Sequence, residues 1–453
     1  MSTSPAVGTS ERAVSSRLHY DLECLATGRV LEDTFEPTAG MVLKNPDADR
    51  PAFLRTRYRA ERISVGEPSD GIYRFADWLP IRRRMASSSA PVTYRSEALG
   101  RVLGMERLYV TFSGYWPERG VRMGSGTFKE CEAYSVGGRL PEGNTSTLVV
   151  ASAGNTARAF GRVFGENGMP LLLVVPERNL PALWHAGNRP SHVRIVAVAG
   201  RADYYDAIAL AGRIAQLDGF IPEGGAANVA RRDGMGTTVL SAAHEIGELP
   251  EAYFQAVGSG TGAIAAWEAS LRLLEDARFG NRHMRLVVSQ NRPFVPIHTS
   301  WERRLPELVP LADSKARRQI RHLYADVLAN RKPPYSVRGG LFDALVDSRG
   351  HTHAISRREA RAARALFAEV EGIDITEPAA VAVASLRRAR REGLVGSTTL
   401  TMLNITGGGI ERFQQEHETR IPAADAVVDP GRLAPGELEK IVRQLFANSS
   451  RSS

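Results

Sequence analysis

Short apolar runs alternate with longer stretches of helical spacing through the middle of this chain. The runs at 147–151, 170–176, 193–200, 253–257, 284–291 and 399–403 carry little charge, the pattern of strands buried on both faces. Residues 203–218 and 264–275 repeat apolar positions every three to four residues, as an amphipathic helix does. Further helices are expected from 155 to about 167 and over 381–391, and the region 305–337 reads as mostly helical. This alternation predicts an α/β layered protein. A smaller domain is placed at 108–220 and a larger one at 221–446, with 18–107 as an N-terminal segment contributing to the larger. The ends, 1–17 and 447–453, read as disordered tails; Met1 to Ser16 is rich in Ser, Thr and Ala and lacks the apolar stretch of a signal peptide.

Three of the predicted strands run directly into turns of small residues. Gly258-Ser259-Gly260-Thr261-Gly262 lies between a strand and a helix, where unpaired N–H groups face an incoming anion and glycines let backbone approach it. Ser259 and Thr261 add hydroxyl donors. Ser152-Ala153-Gly154-Asn155-Thr156 has the same setting. Its N–H groups and the Thr156 hydroxyl suit a carboxylate, and Asn155 suits a hydroxyl on a ring. Asn404-Ile405-Thr406-Gly407-Gly408-Gly409 closes a third strand, and the Thr406 hydroxyl suits a pyridine nitrogen. Each turn taken singly is also what an ordinary strand-to-helix connection carries, with Asn155 as a plain helix cap.

A lysine changes that picture. The chain has only five, Lys44, Lys129, Lys315, Lys332 and Lys440, amid abundant arginine. Only an amine condenses with an aldehyde, and Lys129 alone follows a Gly-x-Gly stretch, Gly124-Ser125-Gly126-Thr127-Phe128-Lys129.

Taken in order, the lysine, the Ser-x-Gly-Asn-Thr loop, the glycine cradle and the late threonine resemble the fold-type-II pyridoxal-phosphate enzymes. Longer blocks bring the chain nearest to their threonine-synthase-like branch, and within it to the cysteate synthase family. These are Asp77-Trp78-Leu79-Pro80, Gly114-Tyr115-Trp116-Pro117, 150–160, Asn228-Val229-Ala230-Arg231-Arg232-Asp233-Gly234-Met235-Gly236-Thr237 and 403–409. The resemblance covers about 73–413. It implies two doubly wound α/β domains of the tryptophan synthase β type, with pyridoxal 5'-phosphate in the cleft and domain closure excluding water. Lys129 is then the catalytic amine and cofactor anchor. Asn155, Gly258, Ser259, Gly260, Thr261, Gly262 and Thr406 bind the cofactor, while Ser152, Ala153, Gly154, Thr156, Arg158, Arg231 and Arg232 bind substrate. Glu377-Pro378-Ala379-Ala380 matches a family element near the ring.

The resemblance further implies β-replacement on O-phospho-L-serine, with sulfite as nucleophile and L-cysteate and phosphate as products. Replacement by another nucleophile, or a threonine-synthase-like phosphate elimination, stays open. Members of the branch often begin with a cysteine-rich ribbon, of which 18–50 resembles a remnant. Cys24 stands alone there, a zinc ion takes four ligands, and no metal is expected.

Composition adds exclusions. With 453 residues, 43% of them hydrophobic, the chain can bury two cores, and two cysteines build no disulfide framework, as in a cytoplasmic protein. Cys131, close to the lysine, reads as a small buried residue. The formal charge of +8 raises the possibility of a basic nucleic-acid-binding protein, but acidic residues share the same segments and no aromatic-interleaved basic stripe occurs. Clusters such as Arg82-Arg83-Arg84 read as solvated faces. No run reaches the length of a membrane span. A homo-oligomer acting on small anionic molecules, without nucleic-acid or membrane partners, is expected; its positive charge would help recruit them.

Overall fold

The structure is a computed structural model and describes residues 18–447, so the expected tails at 1–17 and 447–453 lie outside the described residues except for Ala447, which ends helix Glu437–Ala447. Two sheets organise it. The larger has six strands in the order His351–Ile355, Arg285–Asn291, Ala252–Ala256, Thr401–Ile405, Leu108–Phe112 and Val92–Arg95. All neighbours are parallel except the last pair, which is antiparallel. The smaller has five parallel strands, Phe220–Pro222, Thr147–Ala151, Leu171–Pro176, Val193–Val198 and Ala426–Val428.

Strand Leu171–Pro176 is buried at every position, as its unbroken Leu-Leu-Leu-Val-Val pattern requires when helices cover both faces. Local signals fix several helix starts. Asp203 caps Tyr204–Ile214 in a reciprocal capping box with Asp206, and Ser356 does the same with Glu359 for Arg357–Glu371. Glu377–Arg391 begins with Pro378 in its first turn, where a missing N–H costs nothing.

Three expectations need correction. Strand Leu108–Phe112, placed in the smaller domain from sequence, pairs with Thr401–Ile405 in the larger sheet. Conversely, Ala426–Val428 crosses back to the smaller sheet, and Leu438 and Val442 of helix Glu437–Ala447 join its core. A strand's partner is a non-local choice that its own apolar run does not encode. The third correction concerns 305–337. It holds one helix, Asp313–Ile320, and a single 3-10 turn, Asp326–Leu328. Pro306, Pro310, Pro333 and Pro334 break the helical ladder around them.

The N-terminal segment forms a three-stranded antiparallel sheet from Val30–Leu31, Tyr20–Cys24 and Leu54–Tyr58. Cys24 and Cys131 are both buried and free. No helix among the described residues is long and apolar enough to cross a membrane.

Candidate active site

The three turns singled out from sequence all follow the carboxyl ends of parallel strands, where ligands of open α/β sheets bind. One cavity gathers Lys129, residues 152–156, residues 255–262, Arg231 and Thr406, with Phe128, Tyr204, Pro378 and residues 327–330 completing its wall.

Lys129 is the first residue of helix Lys129–Arg139, which packs along Val229–Ile246. The turn before it is stitched to the Thr406 loop: the Phe128 N–H donates to the Thr406 carbonyl at 3.0 Å, and the Gly408 N–H to the Gly126 carbonyl at 3.1 Å. This contact explains the late glycine run. A Cβ on Gly407 would stand 2.8 Å from the Gly126 oxygen, and one on Gly409 would collide with the Tyr115 carbonyl. Those glycines allow backbones to touch, and Thr406 is the residue of the loop that reaches the cavity.

The amine of Lys129 donates to Glu132 Oε2 at 3.0 Å and lies 4.8 Å from the centre of the Phe128 ring. Glu132 in turn faces Arg231 Nη2 at 3.2 Å, and Arg231 Nη1 donates to Glu223 Oε2 at 2.7 Å. Two cations and two anions therefore alternate in a buried chain beneath the cavity. Burial pushes the Lys129 amine below its ordinary pKa, with Arg231 acting the same way and Glu132 and Glu223 opposing. Burial also raises the Glu223 carboxyl. Among the described residues Glu223 Oε1 and Arg231 Nε find no hydrogen-bond partner, so the cluster retains unspent polar capacity.

A measurable consequence follows. An amine attacks an aldehyde only when neutral, so the rate at which apoenzyme takes up pyridoxal phosphate should rise with pH through the Lys129 pKa. Glu132→Gln removes the largest influence favouring the charged amine. It should move the midpoint of that rate profile to lower pH. An unmoved midpoint would mean that Glu132 does not tune the amine.

The glycine cradle is built for close approach. Helix Thr261–Asp276 starts here, with Gly260 as its cap at φ +82°, a left-handed conformation that favours glycine. A Cβ on Gly258 would lie 2.8 Å from the Leu328 carbonyl oxygen, and one on Gly260 2.7 Å from Leu341 Cδ2. Ser259 Oγ and Thr261 Oγ1 are 2.7 Å apart, so both hydroxyls sit at the same helix end. The segment opposing the cradle comes from 327–330, inside the region whose sequence said little about chemistry.

In the second turn, Ser152 Oγ accepts from the N–H groups of Gly154 and Ala157, each at 2.9 Å. Ser152 thus takes the capping role that sequence offered to Asn155 as its ordinary reading. Asn155 opens helix Asn155–Glu166 and lines the cavity. Ala153 is held by Asn179, whose Nδ2 donates to its carbonyl at 2.9 Å. Thr156 Oγ1 lies 3.5 Å from Arg231 Nη2.

Of the three arginines proposed for substrate, only Arg231 lines this cavity. Arg158 turns away: its Nε donates to the Ser125 carbonyl at 2.8 Å and its Nη1 to the Ala182 carbonyl at 2.6 Å, with Trp184 beneath it. It lines a separate cavity of about 390 Å³ with Arg162, Arg189, Phe413 and His417. Arg232 is fully buried and bound to Glu268 and to the carbonyls of Ala226 and Leu54. Successive helix residues point about 100° apart, and here that step turns Arg231 to the cavity and Arg232 to Glu268. Glu132 was legible as the i+3 partner of Lys129, whereas Glu223, Tyr204 and 327–330 carry no local signal.

The arrangement fits a flat ligand bearing an aldehyde and a phosphate. A buried amine with lowered pKa stands in the same cavity as a glycine turn that any Cβ would fill. Asn155 and Thr406 supply neutral polar groups beside them.

Comparison with known proteins gives the same chemistry. The family described as "Pyridoxal-phosphate dependent enzyme" matches residues 116–407. Cysteate synthase of Methanosarcina acetivorans is 47% identical over 398 residues, covering 88% of this chain and 94% of that protein. Cysteate synthase of Methanocorpusculum labreanum is 46% identical over 416 residues, covering 91% and 98%. Among solved structures, a processed form of threonine deaminase isoform 2 from Solanum lycopersicum has a TM-score of 0.55 at 14% identity, covering 78% of this chain and 94% of that one. Holo diaminopropionate ammonia lyase from Escherichia coli has a TM-score of 0.54 at 14% identity, covering 79% and 94%. The two structures share the fold with this chain.

Proposed function

This chain belongs to the pyridoxal-phosphate-dependent enzymes, and we propose that it catalyses β-replacement on O-phospho-L-serine, adding sulfite to give L-cysteate and phosphate. Its cofactor is pyridoxal phosphate. The observation carrying the reading is the buried Lys129 amine sharing one cavity with the glycine turn 258–262 at a helix start. The relatives named cysteate synthase, 44–47% identical over nearly their whole length, support the choice of product.

The N–H groups after Gly258 and the hydroxyls of Ser259 and Thr261 would hold the cofactor phosphate, where the helix dipole favours negative charge. Asn155 would meet the ring hydroxyl. Thr406 would meet the ring nitrogen, and a neutral hydroxyl leaves that nitrogen without the full proton a carboxylate would impose. When bound, the cofactor supplies an electron sink that stabilises negative charge at the substrate α-carbon.

The rest falls to side chains of this protein. Backbone N–H groups of 154–156 would orient the substrate carboxylate. Lys129, whose amine burial pushes toward the neutral form, would take the α-proton and later return it to the same carbon. Between these transfers the β-carbon loses its C–O bond to departing phosphate and gains a C–S bond from sulfite. Glu132 is placed to share the proton held on Lys129. Arg231 is the arginine positioned to meet an anion, although two glutamates already neutralise it. Substrate anions therefore rely more on backbone donors than the sequence suggested.

The reading is tested by supplying phosphoserine with sulfite, sulfide, phosphite or amines and measuring phosphate release and product mass. Cysteate and phosphate should appear in equal amounts with sulfite, faster than any product with the other nucleophiles. Phosphate release with no sulfonate would remove sulfite from the assignment and favour a related replacement or elimination.

A further inference from the structure

Among the described residues, one cluster of side chains outside the cofactor cavity has the composition of a metal site. His351 and His353 lie on strand His351–Ile355, the edge of the larger sheet. Being two apart on a strand they project from the same face, and their rings are 4.7 Å apart. Glu392 follows the last turn of helix Glu377–Arg391 and reaches the same point. One ligand atom from each of the three lies within 4.8 Å of the others.

The hydrogen bonding of His353 sharpens this. Its Nδ1 is 2.8 Å from Ser385 Oγ, and its Nε2 is 3.2 Å from Glu392 Oε2. If Nδ1–H donates to Ser385, Nε2 turns a lone pair toward a carboxylate oxygen, and two acceptors stay together only around a proton or a cation. In that tautomer the serine would do for this ring what outer hydrogen bonds do for metal-bound histidines, holding the tautomer and the ring plane; in the other, Nε2–H donates to Glu392 directly. Ligand bonds of about 2.0–2.2 Å around a tetrahedral zinc ion place neighbouring ligand atoms roughly 3.3 Å apart. His353 Nε2 and Glu392 Oε2 already stand 3.2 Å apart, and the three ligand atoms, within 4.8 Å of one another, would draw in around the ion. Of the cations around the cluster, Arg388 donates to Glu359 and the Ala354 carbonyl, while Arg304 and Arg285 lie on the His351 side. Glu392 also stands at the negative end of a helix 15 residues long, where positive charge is favoured.

We propose that His351, His353 and Glu392 form a site for a divalent ion of the imidazole-preferring, zinc-like class, with water as the fourth ligand. The ion would clamp the edge strand to the carboxyl end of Glu377–Arg391, whose other end carries Pro378 into the cofactor cavity. It would steady one wall of the active site without entering the chemistry. The site is separate from the ribbon remnant around Cys24, and it does not rest on the proposed reaction.

Holoenzyme freed of metal by chelator, then dialysed against zinc, should retain one tight equivalent and melt at least about 3 °C higher, while magnesium should change neither quantity. Cobalt should give the visible absorption of a tetrahedral ion. His351→Asn and Glu392→Gln alter partly exposed side chains. Each should cost the zinc equivalent, the melting shift and the cobalt bands while keeping the cofactor absorbance and metal-free melting temperature of the parent. Zinc retained equally by parent and both variants, or not retained by the parent at all, overturns the proposal.

Discussion

Replacing Lys129 with alanine is expected to lower turnover by at least about four orders of magnitude, because in the proposed reaction one side chain would both anchor the cofactor and carry the proton of the α-carbon. The loss should be chemical, not structural. Glu132, the residue left behind, keeps Arg231 as a partner at 3.2 Å, so the buried charge chain is shortened but not stripped. Circular dichroism should match the parent, while the yellow absorbance that borohydride fixes to the protein should vanish. Lys129→Arg isolates the amine from the charge. It keeps a cation beside Glu132 but offers no group that condenses with an aldehyde at neutral pH, and it should fail as completely as alanine. Turnover and fixed chromophore surviving in either variant would remove the site from this lysine.

Arg232→Ala should have the largest effect on stability, a loss of about 3–5 kcal/mol, although the sequence motif offers Arg232 equally with Arg231 as a substrate ligand. Its guanidinium is buried completely, donates to Glu268 at 2.8 Å, stacks on Phe53 at 4.8 Å and binds carbonyls on two other segments, Ala226 and Leu54. Truncation leaves a buried carboxylate with Arg55 at 3.5 Å and the more distant Arg272, and takes from two carbonyls the donor that Arg232 supplied. The nearby guanidinium holds the Glu268 carboxyl below the ordinary carboxylate range. A carboxyl depressed in the folded state contributes stability above its unfolded pKa and loses it as pH falls through the folded value, so the gap between parent and variant should narrow in acid. Urea unfolding at neutral and acidic pH measures this. The variant that remains folded should keep the parent KM for phosphoserine. A raised KM with unchanged stability would return Arg232 to the substrate site.

The contrast between these arginines shows where sequence reading reached and where it stopped. Glycines at 258 and 260 were legible as a strand-to-helix turn that needs backbone without Cβ, and the structure brings Leu328 against the first and Leu341 against the second. Ser152 and Asn155 were legible as a pair but not in their division of labour. The cap went to Ser152 because its Oγ reaches two N–H groups at 2.9 Å. The wall at 327–330 was missed, since an irregular segment is placed by what surrounds it, not by its own period. Glu223 was missed for a similar reason: 91 residues of sequence separate it from Glu132, and only Arg231 joins them.

By itself the sequence determined the α/β alternation, the strand-to-turn positions of three small-residue loops and the uniqueness of one lysine among them. Those are local properties, set by periodicity, by steric freedom at glycine and by the chemistry of an amine. Only the tertiary structure decided which sheet received Leu108–Phe112 and Ala426–Val428, which of two adjacent arginines faced the cavity, and that a carboxylate chain lay beneath Lys129. Burial and long-range pairing arise between segments far apart in the chain, so no single segment encodes them.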